Sequence, residues 1–480
     1  MWKKILLPAF LISYSLLVYS QSPDSSRKGI HQVQNEYYDS LKSMLVGNET
    51  TDLSYPASLD MSAEKKVNKR VLGWHPYWVS STAYLSYDYS ALTHLAYFSY
   101  EVDTATGGYT SIHDWNTTPI ISYAHQQGTK VLLTITNFGT SRNTELLTDT
   151  VKQHTLLNNI VTLLKARNGD GVNFDLESVS STQKTNLVSF IRRAVRVIKS
   201  QLPQAEISMA TPAVDWSGAW DFKTLSQLCD YLVIMGYDYY WKGSTTAGPV
   251  APLEGETYNI TRSVTTYLNA GVQASKLMLG VPWYGYDWPV ANSSRKAPST
   301  GSATARIFTA AEALATTHGK IFDQTTDVPY VTYNVSTTWR QLWYDDVVSL
   351  GLKNSLVVSK GLAGIGIWAL SYEGGSKSIW EGIISSFSSF DITTGRIMKT
   401  YPNPSAGIFT IDYYLVAEDD ITITILGTSG KKMMIAFKGK MSAGFHTRVI
   451  DLTTFSPGVY FCSMKGKNLS SISRIVITGN

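Results

Sequence analysis

Cysteine is nearly absent: Cys229 and Cys462 are the only two in 480 residues. They fall in regions of different texture, so no bridge is expected between them and the fold does not depend on disulfides. Charged residues are few, at 16% with a formal net charge of +4. Loss of Lys3 and Lys4 with a leader brings that close to neutral and leaves no electrostatic case for nucleic acid. The N-terminal apolar run, Ile5 to Val18, is about 14 residues, short of the roughly 20 that span a bilayer. No H-E-x-x-H, paired Cys–His set or Asp-rich calcium loop occurs, so no metal or cofactor is implied. G-x-S-x-G is missing, which disfavours a serine hydrolase. Gly427 to Lys431 lacks phosphate-loop spacing and reads as a hairpin turn.

What is present is a large apolar fraction, 44%, which excludes wholesale disorder. Aromatics reach 12%, with 13 Trp and 29 Tyr, a composition that suits an extracellular protein in contact with sugars, although large cores use aromatics too. Lys3 and Lys4, the apolar run and Tyr19-Ser20-Gln21-Ser22 form a signal peptide over 1–20, against the alternative of a membrane anchor. An exported protein without a stable membrane span is expected. Residues 21–69 are a polar leader or linker of unknown role, with one amphipathic helix over His31 to Leu45.

From Arg70 short apolar runs begin to alternate with helical patterns. The runs are Val71–Trp74, Leu92–Ser99, Lys130–Thr136, Asp170–Glu177, Glu206–Thr211, Tyr231–Met235, Leu277–Val281 and Gly364–Leu370. Eight such strands over roughly 320 residues predict an α/β (β/α)8 TIM barrel within 70–390. A doubly wound sheet is the rival, but no G-x-G-x-x-G follows the first strand. The gap before the eighth strand is too long for one crossover and predicts a small α+β insertion at about 288–335. Residues 400–480 change texture to short alternating strands and predict an all-β sandwich.

The fourth run carries the chemistry. Val172, Phe174 and Leu176 point one way, and Asn173, Asp175 and Glu177 the other. In isolation this reads equally as a strand with one face in water. A parallel barrel strand has no such face, and Glu177 ends the strand where barrel active sites lie. Repulsion between two close carboxylates, together with burial, raises one pKa. A Glu protonated near neutral pH suits general-acid cleavage of an acetal.

The sequence here resembles glycoside hydrolase family 18, the chitinase-like barrels. The family's D-G-x-D-x-D-x-E is matched by Asp170, Gly171, Asp175 and Glu177, with Asn173 in place of the middle Asp. M-x-Y-D is Met235, Tyr237 and Asp238, and L-G-x-P-x-Y-G runs from Leu279 to Gly285 and includes Tyr284. G-G-x-x-x-W is matched by Gly364 and Trp368 with Ala363 for the first Gly, and W-Y-D-D is Trp343 to Asp346. The resemblance covers about residues 70–388. It implies a retaining, substrate-assisted hydrolysis of β-1,4-linked N-acetylglucosamine polymers such as chitin. Glu177 would be the acid, Asp175 would orient the substrate acetamide, Tyr237 would bond its oxygen, and Trp368 would stack under the sugar. Asp170, Asn173, Met235, Asp238, Trp74 and Tyr284 complete the expected substrate-binding set. Tyr237 and Trp368 could also be ordinary core aromatics, and Trp74, Trp78, Trp241 and Trp283 divide evenly between core and sugar stacking.

Two departures stand out. Asn173 cannot take a proton from Asp175, although its amide could donate a hydrogen bond to it, so activity is expected with a changed acid limb. Tyr284-Gly285-Tyr286-Asp287-Trp288 lacks the Arg that follows the Gly in many chitinases, and brings in peptidoglycan or chitobiose-type substrates. A non-catalytic sugar-binding barrel is the other alternative, but such lectins lose the acid. The last domain resembles the C-terminal sorting domain of type IX secretion substrates, on Tyr401-Pro402-Asn403-Pro404, Gly407, Phe409 and Gly458-Val459-Tyr460-Phe461. This implies the type IX machinery as a partner and a secreted or cell-surface location. A carbohydrate-binding module is the rival reading.

Overall fold

The computed structural model describes residues 27–44, 65–388, 396–415, 417–467 and 469–478. The signal peptide expected over 1–20 lies outside them. Among the described residues no helix is long and apolar enough to cross a membrane.

Eight parallel strands close into a barrel: Arg70–Pro76, His94–Val102, Lys130–Phe138, Gly171–Glu177, Glu206–Pro212, Tyr231–Met235, Leu277–Pro282 and Gly364–Trp368. Each pairs with its sequence neighbour apart from the insertion, and the first closes on both the second and the eighth. The fourth strand is buried along its whole length, because its two sides serve different layers. Val172, Phe174 and Leu176 face the helices outside, where Phe174 meets Phe190 of helix Lys184–Gln201 edge to face at 5.5 Å. Asn173, Asp175 and Glu177 occupy the other side at 0%, 0% and 7% exposure. This removes the reading of a solvent-facing strand. A Cβ on Gly366 of the eighth strand would crowd Val233 and the Trp74 indole. Glycine there leaves room for Trp74 to lie inside the barrel with its N–H on Asn173 Oδ1 at 3.0 Å.

The insertion before the eighth strand is a five-stranded antiparallel sheet in the order Thr304–Ile307, Tyr284–Val290, Thr338–Tyr344, Val328–Val335, Ile321–Asp323. Helix Phe308–His318 packs on it. The sheet thus starts at Tyr284 and ends at Tyr344, beyond the 288–335 expected. The extra residues, 284–287 and 336–344, mix aromatic with polar and charged side chains, and their antiparallel pairing is what makes them strands of this sheet. Asp287 is fully buried and pairs with Arg306 at 3.0 Å and Arg340 at 2.8 Å, so it anchors this sheet.

The C-terminal region is two antiparallel sheets of three and four strands. Alternate residues such as Phe409, Ile411, Tyr413, Ile421, Ile423 and Ile425 fill its core. Cys462 is buried there and Cys229 is buried in the barrel, and both are free. The large exposed apolar side chains described on this domain are aliphatic, for example Ile408, Val449 and Ile472. No exposed aromatic stripe of the kind a sugar-binding module uses occurs among them.

N-terminal to the barrel, helix Ile30–Met44 stands at the C-terminal mouth of the strands. Helical spacing in the sequence points to Tyr38, Leu41 and Leu45 as its apolar contacts. Leu45 lies outside the described residues, and Tyr38 and Leu41 are half-buried; the fully buried face starts a turn earlier and is mostly polar, with His31, Gln32, Gln34 and Asn35 all buried beside Ile30.

Candidate active site

The alternation of the fourth strand and its end at the barrel mouth place Asp175 and Glu177 one above the other, on the side where the loops open. Glu177 is held from behind by its own backbone carbonyl, which accepts from Gly139 N at 3.1 Å and from Asn143 Nδ2 at 2.5 Å. Burial, then the charges of Asp175 and Asp238, push its carboxyl well above the ordinary carboxylate value. Asp238 follows the sixth strand in the left-handed region, at φ 57°, a conformation Asp tolerates better than most residues. Its carboxyl is pushed up by burial and takes hydrogen bonds from Tyr284 and Tyr286. The Tyr237 hydroxyl, also raised chiefly by burial, points to the same centre.

His31 fills that centre. Its Nδ1 lies 2.7 Å from Asp175 Oδ2 and 3.5 Å from Glu177 Oε1, and its Nε2 lies 2.9 Å from Tyr237 Oη. The ring stacks on Trp368 with centroids 3.7 Å apart and planes 30° apart. A carboxylate only accepts, so Nδ1 carries the proton toward Asp175, while Nε2 lies within hydrogen-bond reach of the Tyr237 hydroxyl. Donor atoms of His31, Asp175 and Glu177 lie within 4.8 Å of one another. A hydrogen-bonded imidazole accounts for that closeness, and two of the three donors are hard oxygens on one strand.

Of the residues singled out in the sequence, Glu177, Asp175, Tyr237, Asp238, Tyr284 and Trp368 converge here, and Met235 lines the adjoining cavity of about 480 Å³. That cavity opens beside Glu177 and is walled by Asp215, Trp216, Trp220 and Tyr258. Three expectations need correction. Asp170 does not bind at the mouth: it precedes the strand, seven residues and roughly 23 Å of extended chain from Glu177, where it holds His125 and Val131 N at 2.7 Å each. Asn173 does not donate to Asp175. Its amide is committed to Ser208 Oγ at 2.9 Å, because its oxygen must face the donor-only Trp74 indole. Trp74 is therefore a buried support for the column and offers no open face for a sugar. Of the other three tryptophans, Trp283 is buried in the core, while Trp78 and Trp241 are partly buried.

Sequence reasoning missed His31, Gln34 and Arg27. Gln34 Oε1 accepts from Trp368 Nε1 and Tyr372 Oη, each at 2.9 Å, and Arg27 bonds the Asp238 carbonyl. The available signal was polar: His31, Gln34, Asn35 and Tyr38 recur at spacings of three and four, a helical stripe where an apolar one is usual.

Known proteins bear on this constellation. Residues 70–373 match the family described as Glycosyl hydrolases family 18, and 399–478 match the Secretion system C-terminal sorting domain. Di-N-acetylchitobiase of Rattus norvegicus is 28% identical over 60% of this chain and 79% of its own length. The cortical fragment-lytic enzyme of Bacillus anthracis is 26% identical over 62% and 68%. A Cycas revoluta GH18 chitinase solved in complex with (GlcNAc)3 superposes with a TM-score of 0.59 at 20% identity, over 66% of this chain and 99% of that one. At that identity the likeness concerns the fold.

Proposed function

The chain belongs to glycosyl hydrolase family 18, and from that premise we propose that it cleaves β-1,4-linked N-acetylglucosamine glycans of chitin type with retention of anomeric configuration. The observation that carries this reading is the convergence of Asp175, Glu177 and Tyr237 on one point above Trp368. Glu177, kept protonated by burial and by its acidic neighbours, gives its proton to the glycosidic oxygen. The carbonyl oxygen of the sugar's own 2-acetamido group attacks C1 as the C1–O bond breaks. An oxazolinium ion forms and the alcohol departs with the proton. Asp175 accepts the acetamide N–H and balances the positive charge, and Tyr237 donates to the acetamide oxygen. Trp368 is the floor under the reacting ring. Glu177, now a carboxylate, takes a proton from water, which adds to C1 and reopens the oxazoline with net retention. No metal is called on in this scheme.

The C-terminal sorting domain supports export through the type IX route, to the cell surface or the medium, and so an environmental glycan. A second reading, peptidoglycan N-acetylglucosaminidase, is favoured by two observations. The first is the likeness to cortical fragment-lytic enzymes. The second is the Tyr286-Asp287 pair that follows Gly285, where Tyr286 bonds Asp238 and Asp287 is spent on the insertion sheet. Product analysis on N-acetylglucosamine oligomers against purified peptidoglycan decides between them. Faster release from the oligomers is expected, and release from peptidoglycan alone would overturn the chitin reading. Glu177→Gln is the control that turnover belongs to this site.

A further inference from the structure

The segment in front of the barrel occupies the place where the sugar must go. Three features of the His31 ring reproduce what the proposed reaction asks of an N-acetylglucosamine unit. The ring lies flat on Trp368, as a pyranose would. Its Nδ1–H donates to Asp175, as the acetamide N–H would. Its Nε2 lies 2.9 Å from the Tyr237 hydroxyl, where the acetamide oxygen would sit. The backbone joins in: Gly29 N–H bonds the Glu177 carboxylate, and Ile30 N donates to Asp238 Oδ2 at 3.0 Å. A Cβ at position 29 would overlap the Glu177 carboxyl, so a side chain there would push aside either that carboxyl or the segment. Outside the centre, Tyr38 stacks on Trp78 at 4.9 Å with planes 10° apart, and Asp39 takes the Tyr77 hydroxyl.

The helix that carries these groups buries a polar face. Ordinary packing of a short helix buries an apolar stripe. Here His31, Gln34 and Asn35 are buried instead, and the bonds of His31 and Gln34 end on Asp175, Tyr237, Trp368 and Tyr372. This is the complementarity of a ligand. With the segment seated, the acid is covered and Trp368 is occupied, so no sugar can bind in the reacting position. A glycosidase that kept it there permanently would not turn over.

We propose that residues 27–44 are an intramolecular inhibitor seated in the sugar site, and that the chain is latent until this segment is displaced or cut away. The proposal rests on the family 18 reading for what it excludes, a glycan, but the seating itself stands on the contacts above. Tethering through residues 45–64 makes the segment a competitor at high effective concentration. Residues 45–63 contain no Lys or Arg, so trypsin-like cleavage has no site within them.

The test uses the full chain with a site-specific protease sequence substituted within residues 50–56. Hydrolysis of a soluble N-acetylglucosamine oligomer is measured before cleavage, and again after cleavage and removal of the fragment. A rise in kcat/KM of at least about tenfold is expected, since the apparent rate scales with the open fraction. Uncut full chains carrying Gly29→Val or His31→Ala should show a rise in the same direction without cleavage, and should match wild type once the fragment is gone. Binding is read separately in Glu177→Gln, whose turnover is too slow to consume the oligomer during a titration. A synthetic peptide of residues 27–44 should bind the cleaved chain and compete with the oligomer, and the uncut chain should bind neither. Equal oligomer binding or turnover before and after cleavage, with no binding of the peptide, would overturn the inhibitor. Peptide binding without any oligomer binding would uphold the inhibitor and overturn the glycan reading instead.

Discussion

Two buried polar faces meet at the mouth of this barrel, and they are built in opposite ways. The column on the fourth strand is rigid: the strand pairs with the third along its whole length and with the fifth over 171–174, and Asn173 is clamped between Trp74 and Ser208. The face of helix Ile30–Met44 belongs to an element with no sheet beneath it and with polar residues turned inward. The column keeps its geometry whatever fills the site. The helix keeps its position only through what it touches. A charge cluster that must stay fixed belongs on strands, and a group that must leave belongs on a detachable helix.

The comparison can be broken most severely at the acid. Glu177→Gln keeps the shape and the hydrogen-bonding reach but removes the proton, so kcat should fall by about 10²–10⁴-fold, while oligomer binding to the opened site persists. Rate assays paired with calorimetric titration check this. Next comes the support of the column. Trp74→Phe leaves the Asn173 oxygen buried without its donor, which costs about 1–3 kcal/mol. Chemical denaturation should show the loss, whereas the matching change on the helix, Gln34→Ala, should lower the barrel's unfolding midpoint by less.

A smaller effect sharpens the electrostatics. Asn173→Asp adds a carboxylate below Asp175 in a fully buried column and makes ionisation of the pair harder. The acid limb of the pH–rate profile should move to higher pH with activity retained, and superimposable profiles would refute this. The last effect is on the pH dependence of stability. Burial raises the Glu373 carboxyl from 4.5 to about 7. A folded-state value above the unfolded one means the native state holds its proton longer, so stability falls as pH rises from about 4.5 to about 7. Glu373→Gln should flatten that slope in thermal melts taken across the window.

Much of the fold is legible in the sequence. The period-two alternation of 172–177 and the spacing of the other strands lead to the barrel, and the pair of acids at a strand end leads to the mouth. Two features escape because sequence gives faces and spacing but not partners. Asp170 stands in the same motif as Glu177, yet extended chain carries it to the far end of the strand. The Asn173 amide has two polar neighbours within reach, and only the Trp74 indole, which can donate but not accept, fixes which way it turns. His31 is hidden for a different reason. A lone histidine in a polar leader carries no periodic apolar signal, and its partners lie 144 and 206 residues away.

The central claim is that the column acts with the substrate's own acetamide as nucleophile, and the anomeric form of the first product reports on it. Proton NMR on the opened enzyme with an N-acetylglucosamine oligomer, recorded before mutarotation, should show the β-anomer at the new reducing end. The α-anomer appearing first would mean direct attack by water and would contradict the proposed roles of Asp175, Glu177 and Tyr237.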